Sequence, residues 1–488
     1  MKVWALALGG ALLFGVAATA NAGGYRYGVS DQAFYIPAIA MTADASLFPR
    51  DAEFYRPQLR MWIGRHVFAA VARWSGSDVP AIFGWAYVAG LVLLFGAALA
   101  FGRAMGFGWW AVIAFLALLT LRHEIAKTGA NSLEGYMHPR MLAFAAGLAS
   151  FAWVVTGRRV AAVVAVAVAA AIHPTTALWF GGVVAIAILL AIDGRAAKIG
   201  VGAALVAVLA AGVLFVRPSL AIIDPAWRAA LGDRAYLFPS EWPVSAWVLN
   251  LAYPLVLVAI YRRRRLAGVA RPHEGDLVSG LLVLVAGFLA SVPFSTFGVA
   301  SVVQLQVPRV FWLVDVVVAA YVAWWLVEDV AAHRGRRVRV GLVAALMLLS
   351  AARGTYVLAF ERHRPLASPR LQANEWTDVM TWLRAQPLSW HVLADPGHAS
   401  KFGTSVRVAA LRDTLFEGGK DPAMALYDRN AAMRVAERAL ALADPLTTDR
   451  VRALDDRFGL DVFIADAAEP IDRPVLYRNG RFVAYDLR

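Results

Sequence analysis

Long apolar runs, each bounded by charged residues or proline, recur along the first three quarters of this chain. A hydrocarbon core of about 30 Å needs roughly 20 mainly apolar residues per helix, and eleven runs approach that length. They lie near 3–20, 81–101, 107–121, 141–157, 160–172, 175–192, 199–216, 244–261, 278–294, 310–327 and 340–358. With 60% hydrophobic and 17% charged residues, a soluble domain could not bury the apolar surface. The sequence therefore predicts an all-α polytopic membrane bundle of about eleven transmembrane helices.

Basic residues determine the predicted orientation. The chain carries 47 Lys and Arg against 34 Asp and Glu. If the N-terminus is cytoplasmic, the short inner loops hold 15 of these basic residues, whereas the much longer outer loops hold 13. The positive-inside rule requires this bias, so the N-terminus is predicted to be cytoplasmic and the C-terminal segment periplasmic. Topology accounts for the basic surplus, and nucleic acid is not predicted as a partner.

Two domains are predicted. Residues 1–365 form the transmembrane domain, in which 21–80 are a first periplasmic loop with outer-face, membrane-lying amphipathic helices at 31–41 and 58–74. Residues 366–488 form a small C-terminal α/β periplasmic domain. Its predicted elements are helices at 374–386 and 423–443, strands at 391–395, 406–411 and 461–466, and a hairpin at 475–485. Residues 1–22 also fit a signal peptide, and their cleavage stays open.

The polar residues of the predicted outer loops form mixed clusters, unlike the nearly pure arginine of the inner loops. The candidate binding residues in these loops are Glu124, Lys127, His138, Arg140, His173, Gln306 and Arg309. Asp315 lies deep within a predicted span, where a carboxylate usually faces a partner or a wet cavity. Its predicted partner is Arg140 or His173. The sequence has neither a zinc-binding His-Glu-x-x-His motif nor a glycine-rich phosphate loop, and no metal or cofactor is predicted.

The string Asp31-Gln-Ala-Phe-Tyr35 follows the first span and opens a long outer loop. With a cytoplasmic N-terminus and a soluble domain after the last span, this plan resembles the GT-C class of membrane glycosyltransferases. That class includes the protein O-mannosyltransferases and the lipid A aminoarabinose transferases. Gln32 stands where a second carboxylate is common, which leaves dependence on a divalent metal open. Residues 376–384 and 402–407 resemble a recurring periplasmic domain of bacterial integral membrane proteins.

The resemblance implies an inverting glycosyltransferase in the inner membrane of a bacterium. It would move a sugar from a polyprenyl-phosphate donor to a periplasmic or lipid-linked acceptor, which is a glycan, a lipid or a protein. Asp31 would take the proton of the acceptor hydroxyl, with Asp51 as the second candidate base. Arg140 and Arg309 would hold the donor phosphate, since paired guanidinium donors fit phosphate oxygens. Asp315 and the other candidate residues would contact the substrate, and membrane lipids are expected partners.

Each candidate also has a structural interpretation. Asp31 fits a helix N-cap, and Asp51 fits a turn or a salt bridge. The two arginines fit interfacial side chains that reach lipid headgroups, and the histidines beside proline fit packed helix ends. Glu124 and Lys127 fit an ion pair on a solvated loop.

Two other functions compete with sugar transfer. One is a transporter or flippase of lipid-linked or small polar cargo, and the other is a noncatalytic polysaccharide-assembly protein. A transporter would need ionisable residues in several spans and an internal repeat, whereas the confident spans hold one such residue deep inside and no repeat is visible.

Overall fold

The structure is a computed structural model that describes residues 2–60, 62–203, 221–331 and 334–488. The chain divides into two compact units. Unit 1 comprises Met1–Tyr25, Trp85–Ile222 and Arg234–Ala367, and unit 2 comprises Arg26–Gly84, Ile223–Asp233 and Ser368–Arg488. This grouping differs from the predicted domains, because the first outer segment belongs to the same compact unit as the C-terminal residues. The predicted division at residue 365 stays a prediction.

Unit 1 is helical. Its main helices are α1 (Lys2–Asn21), α5 (Val79–Ala104, from Trp85 onward), α6 (Trp109–Thr120), α7 (Pro139–Val155), α8 (Arg159–Ile172), α9 (Pro174–Leu190), α11 (Val244–Leu266), α12 (Glu274–Thr296), α13 (Ala300–Leu305), α14 (Val310–Trp324) and α15 (Arg336–Tyr356). Short strands β2 (Glu124–Ile125) and β3 (Ala130–Asn131) form an antiparallel hairpin after α6. Helix α7 packs against α8 and α9, and α14 packs against α6, α11 and α12.

Ten of the eleven predicted spans coincide with helices, and residues 204–216 of the other lie outside the described residues. Five described helices are long and apolar enough to cross a membrane: Val79–Ala104, Val244–Leu266, Glu274–Thr296, Ala300–Val330 and Arg336–Glu361. Among the described residues, five more apolar helices have 10–17 residues. A membrane helical bundle is therefore supported, whereas the number eleven and the orientation stay predictions.

Unit 2 contains helices α2 (Gln32–Ala43), α3 (Ala52–Leu59), α4 (Gly64–Ser75), α10 (Pro225–Ala230), α16 (Glu375–Arg384), α17 (His398–Phe402), α18 (Val406–Ala409), α19 (Asp421–Met424), α20 (Arg429–Ala441) and α21 (Thr448–Phe458). Its strands are β5 (His391–Ala394), β6 (Asp413–Thr414), β7 (Val462–Asp466), β8 (Val475–Arg478) and β9 (Phe482–Asp486). Strands β1 (Tyr25–Arg26) and β4 (Ala367–Ser368) lie at the unit boundary.

The sheet of unit 2 has the order β6-β5-β7-β9-β8. Strand β5 is parallel to β6 and β7, and β9 is antiparallel to β7 and β8. One core contains Trp376 and Val379 of α16, and another contains Val451 and Leu454 of α21. The predicted α/β character is confirmed, as are the strand at 391–395, the strand at 461–466 and the hairpin.

Two predicted elements of this part are wrong in detail. The predicted strand at 406–411 is instead helix α18 over Val406–Ala409. At its start, Ser405 accepts a hydrogen bond from the backbone N–H of Arg407 at 3.1 Å. The Arg407 side chain in this helix is fully buried. The predicted helix at 423–443 is broken into α19 and α20, with Asp428 as the N-cap of α20.

The first outer segment also corrects the sequence prediction. Helix α2 is buried over all its residues from Gln32 to Ile39 and packs against α3, α4 and α18, so it is not a surface helix. The amphipathic helix predicted at 58–74 is confirmed only from Gly64 onward, as α4, because residues 58 and 59 end α3. Trp62, which precedes α4, is buried. The exposed apolar side chains lie at a helical spacing: Ile63, Val67, Val71 and Trp74.

Candidate functional site

Asp31 occupies the N-cap position of α2, but its side chain makes no capping hydrogen bond. Ser30 before it has a φ of 53°, in the left-handed region. The next residue, Gln32, is fully buried, and its Oε1 accepts a hydrogen bond from the backbone N–H of Gly28 at 2.6 Å. The Gln32 amide thus supports the turn before α2. The Asp31 carboxylate remains about one-third exposed.

Lys420 is the cation of unit 2 that contacts Asp31. Its ammonium group donates a hydrogen bond to Oδ1 of Asp31 in an ion pair. Lys420 is buried and directly precedes α19. Because the two residues are 389 positions apart, no local sequence pattern could have paired them. The ion pair fixes the orientation of the carboxylate that the sequence singles out as a base.

Asp51 has a different environment from Asp31. It is fully buried, and Nε of Arg407 lies 2.8 Å from its Oδ2, while Arg434 contacts Oδ1 and Arg438 lies 3.9 Å from it. Burial alone would raise the pKa of Asp51, but the three guanidinium groups outweigh it and lower that pKa. This geometry corresponds to the salt-bridge interpretation. The catalytic role of Asp51 stays an untested prediction.

Arg407 connects Asp51 to two further carboxylates. Its guanidinium is fully buried and donates hydrogen bonds to Asp421, and its Nη1 lies 3.6 Å from Oε2 of Glu417. Glu417 also accepts a hydrogen bond from the hydroxyl of Ser405 at 2.6 Å. These buried charges join α3 to the loops around α18 and α19, and so stabilise the unit that carries Asp31.

Burial raises the pKa of Glu417 to about 7 against the attraction of Arg407, and that of Asp413 to about 6. Because the pKa of Glu417 is higher in the folded protein than in the unfolded chain, its protonated carboxyl group stabilises the folded state. This stabilisation is complete below pH ~4.5 and is lost as pH rises through about 7. We therefore expect Glu417→Gln to reduce the loss of stability of unit 2 between pH 5 and pH 8. The glutamine oxygen can still accept the Ser405 hydrogen bond.

The stability of unit 2 can be measured by thiol labelling, because the chain contains no cysteine of its own. Ala484→Cys, at a fully buried position of β9, introduces one thiol whose labelling rate in the full-length protein reports the opening of unit 2. Burial lowers the pKa of His391 and of His398 to about 4. Both histidines are present with and without Glu417→Gln, so their titration does not account for a difference between the two proteins. Equal labelling rates with and without Glu417→Gln at every pH would contradict the prediction.

In unit 1, Arg140 forms a buried ion pair with Glu134 at the start of α7, and its guanidinium lies 5.7 Å from the ring centre of Trp312. His138 is the N-cap of α7, because its Nδ1 accepts the backbone N–H of Arg140 at 3.0 Å. His173 caps α9 in the same way through Thr176. The two imidazole rings lie 5.7 Å apart, so three predicted binding residues are brought together.

Asp315 pairs with His123, and not with Arg140 or His173 as predicted. The Nδ1 of His123 lies 2.9 Å from Oδ2 of Asp315. Burial would lower the pKa of His123, but the hydrogen bond and charge of Asp315 outweigh it and raise that pKa. The sequence missed this pair because His123 is 192 positions away, in the loop after α6.

Gln306 and Arg309 lie at the start of α14. Gln306 is buried and has a φ of 53°, and Arg309 ends the short 3₁₀ turn Val307–Arg309 that leads into the helix. The left-handed residue turns the chain between α13 and α14. Arg309 is thereby held at the first turn of a helix whose residues are mostly buried.

Glu124 and Lys127 line one pocket of about 540 Å³ together with Arg122. In the part of the chain that the structure describes, no ion pair joins Glu124 to Lys127, so the solvated-pair interpretation is not observed. The described ranges also hold no group of three His, Asp or Glu side chains that could bind a metal ion, and metal dependence stays untested. Asp31 belongs to unit 2, whereas Arg140 and Arg309 belong to unit 1; their convergence on one pocket stays a prediction.

The fold has a counterpart among solved structures. No protein-family model matches the chain, and no curated protein matches its sequence. The fold is similar to that of a solved oligosaccharyltransferase. The structure that carries this likeness is the crystal structure of the oligosaccharyltransferase of Archaeoglobus fulgidus in the apo form, with a TM-score of 0.53 and 11% sequence identity. The match covers 94% of this chain and 69% of that chain. At this identity the likeness establishes the fold and not the activity.

Proposed function

We propose that this protein is an inverting glycosyltransferase that uses a sugar carried on a polyprenyl phosphate. The observation that carries the proposal is the likeness to an oligosaccharyltransferase fold over 94% of the chain. The Asp31 carboxylate, which is partly exposed and does not cap its helix, provides a basic group. The protein would act in the inner membrane of a bacterium, with unit 2 on the periplasmic side.

The proposed reaction is a direct displacement. The acceptor hydroxyl attacks the anomeric carbon, its proton passes to Asp31, and the bond from that carbon to the phosphate oxygen breaks with inversion. The departing polyprenyl phosphate gains negative charge, which Arg309 and Arg140 would stabilise. Lys420 acts as a positioning residue because it holds one oxygen of the base. The pairing of Arg140 with Glu134 offsets part of the positive charge of Arg140.

The test is transfer by the purified full-length protein in liposomes. Polyprenyl-phosphate donors carrying different labelled sugars are supplied with candidate glycan, lipid and protein acceptors. We expect one donor to lose its sugar, free polyprenyl phosphate to appear, and the product to have the opposite anomeric configuration. Retention of configuration would exclude the direct displacement, and failure of every donor to react would contradict the proposed activity.

A further inference from the structure

A polar pocket lies in unit 1 between the β2–β3 hairpin and the first turns of α11. Its volume is about 540 Å³. The lining groups that carry the argument are Arg122, Glu124, Lys127, Asn131, Ser245 and Leu249. The two cations and one carboxylate give these side chains a formal charge of +1, so the pocket favours a single anionic group.

The backbone around this pocket is held in place. Asn250 of α11 is fully buried, and its Nδ2 donates a hydrogen bond to the carbonyl of Ala126 at 2.8 Å. Gly129 has a φ of 65°, and a Cβ there would lie 2.9 Å from the ring of Tyr236. Lys127 has a φ of 57°, which is unusual for a residue with a side chain. The hairpin is thus fixed to α11.

The cations of the pocket have unused binding capacity. Among the described residues, neither Arg122 nor Lys127 has an ion-pair partner. The Nε of Arg122 is buried and has no hydrogen-bond partner within the same ranges. A buried donor without an acceptor is unfavourable. An anion with several oxygens, held in the pocket, would satisfy this donor and offset the net positive charge of the lining side chains.

Phosphate fits this combination of groups. A guanidinium binds phosphate oxygens through paired donors, and a lysine adds a compact positive charge. One wall of the pocket is apolar: Leu249 lines it and is 58% exposed. On the same helix, Val244 and Val248 are 77% and 62% exposed. A hydrocarbon chain leaving the pocket therefore meets a continuous apolar surface of α11.

We propose that this pocket binds the phosphate headgroup of a lipid whose hydrocarbon chain lies along α11. Neither Arg140 nor Arg309, the residues assigned to the donor phosphate, is among the residues that line this pocket. Its occupation requires no sugar transfer, so the inference goes beyond the proposed activity and can hold or fail independently of it.

Binding is measured directly, on the purified full-length protein in a neutral detergent. The probes are ³²P-labelled dodecyl phosphate and ³²P-labelled inorganic phosphate, and equilibrium binding is read by scintillation proximity. We expect dodecyl phosphate to bind at least tenfold more tightly than inorganic phosphate. The double variant Arg122→Gln/Lys127→Gln should weaken dodecyl phosphate binding about 100-fold, because two charge-assisted contacts are lost.

Two further variants separate the sources of binding. Arg60→Gln/Arg73→Gln removes two exposed cations elsewhere and should leave the affinity within about twofold. Leu249→Asn should weaken dodecyl phosphate and leave inorganic phosphate unchanged. An equal loss in both double variants would show general charge attraction and overturn the site. If the two probes bind with equal affinity and Leu249→Asn has no effect on either, the assignment to a lipid is overturned. If Arg122→Gln/Lys127→Gln binds dodecyl phosphate as tightly as the wild type, the pocket itself is overturned as the binding site.

Discussion

Asp31→Asn is expected to lower kcat/KM for sugar transfer by about 10²- to 10⁴-fold, the contribution typical of a general base. The amide has nearly the same size as the carboxylate but cannot accept the proton of the acceptor hydroxyl. The rate is measured as the release of polyprenyl phosphate from the donor that the wild-type protein uses. Asp44→Asn is the matched control, since Asp44 is an exposed carboxylate at the other end of α2 that contacts Ser46, and it should keep full activity.

Lys420→Gln separates proton transfer from the loss of the ion pair. Both Asp31→Asn and Lys420→Gln disrupt the contact between the two residues, but only the first removes the base. If Lys420 positions the carboxylate, its substitution should lower kcat/KM by about tenfold, far less than the loss of the base. Equal losses in the two variants would mean that the ion pair, and not proton acceptance by Asp31, accounts for the effect.

The helices of unit 1 could be predicted because an apolar run of span length is a local property of the sequence. Each run that lies in the described residues forms a helix, and proline or glycine marks several ends, as at His138-Pro139, His173-Pro174 and Gly157. Local patterns gave a wrong secondary structure where a charged side chain is buried. Residues 406–411 are predicted as a strand, but Arg407 lies in helix α18 and is the centre of a buried ion cluster.

The candidate residues could be chosen from the sequence, but their partners could not. Asp31, Asp51 and Asp315 contact Lys420, Arg407 and His123, respectively. Each partner is separated from its carboxylate by nearly 200 residues or more. Charge and residue type indicate that a buried carboxylate needs a cation, but several arginines and histidines satisfy that condition equally. Only the packing of the elements selects one of them.

Arg407→Met is expected to destabilise unit 2 by about 3–5 kcal/mol, the usual effect of removing one partner of a buried ion pair. Methionine preserves much of the apolar volume but leaves Asp51, Glu417 and Asp421 buried without their shared guanidinium. In the Ala484→Cys background, the labelling rate of the thiol should rise about 10²-fold or more. The full chain is used because unit 2 is assembled from three separate segments.

Arg457→Met provides the matched control for this variant. Arg457 and Glu437 form an ion pair in which both side chains are about half exposed, and such surface pairs contribute about 0–1 kcal/mol. The control should therefore raise the labelling rate less than about fivefold. Equal thiol labelling rates for the two variants would mean that the buried cluster contributes no more to the stability of unit 2 than a surface ion pair. The carboxylates would then be protonated or hydrated in place of their contact with Arg407. The pH dependence distinguishes these cases, since carboxylates that take up protons should make Arg407→Met progressively less stable, relative to the wild type, as pH rises from 5 to 8.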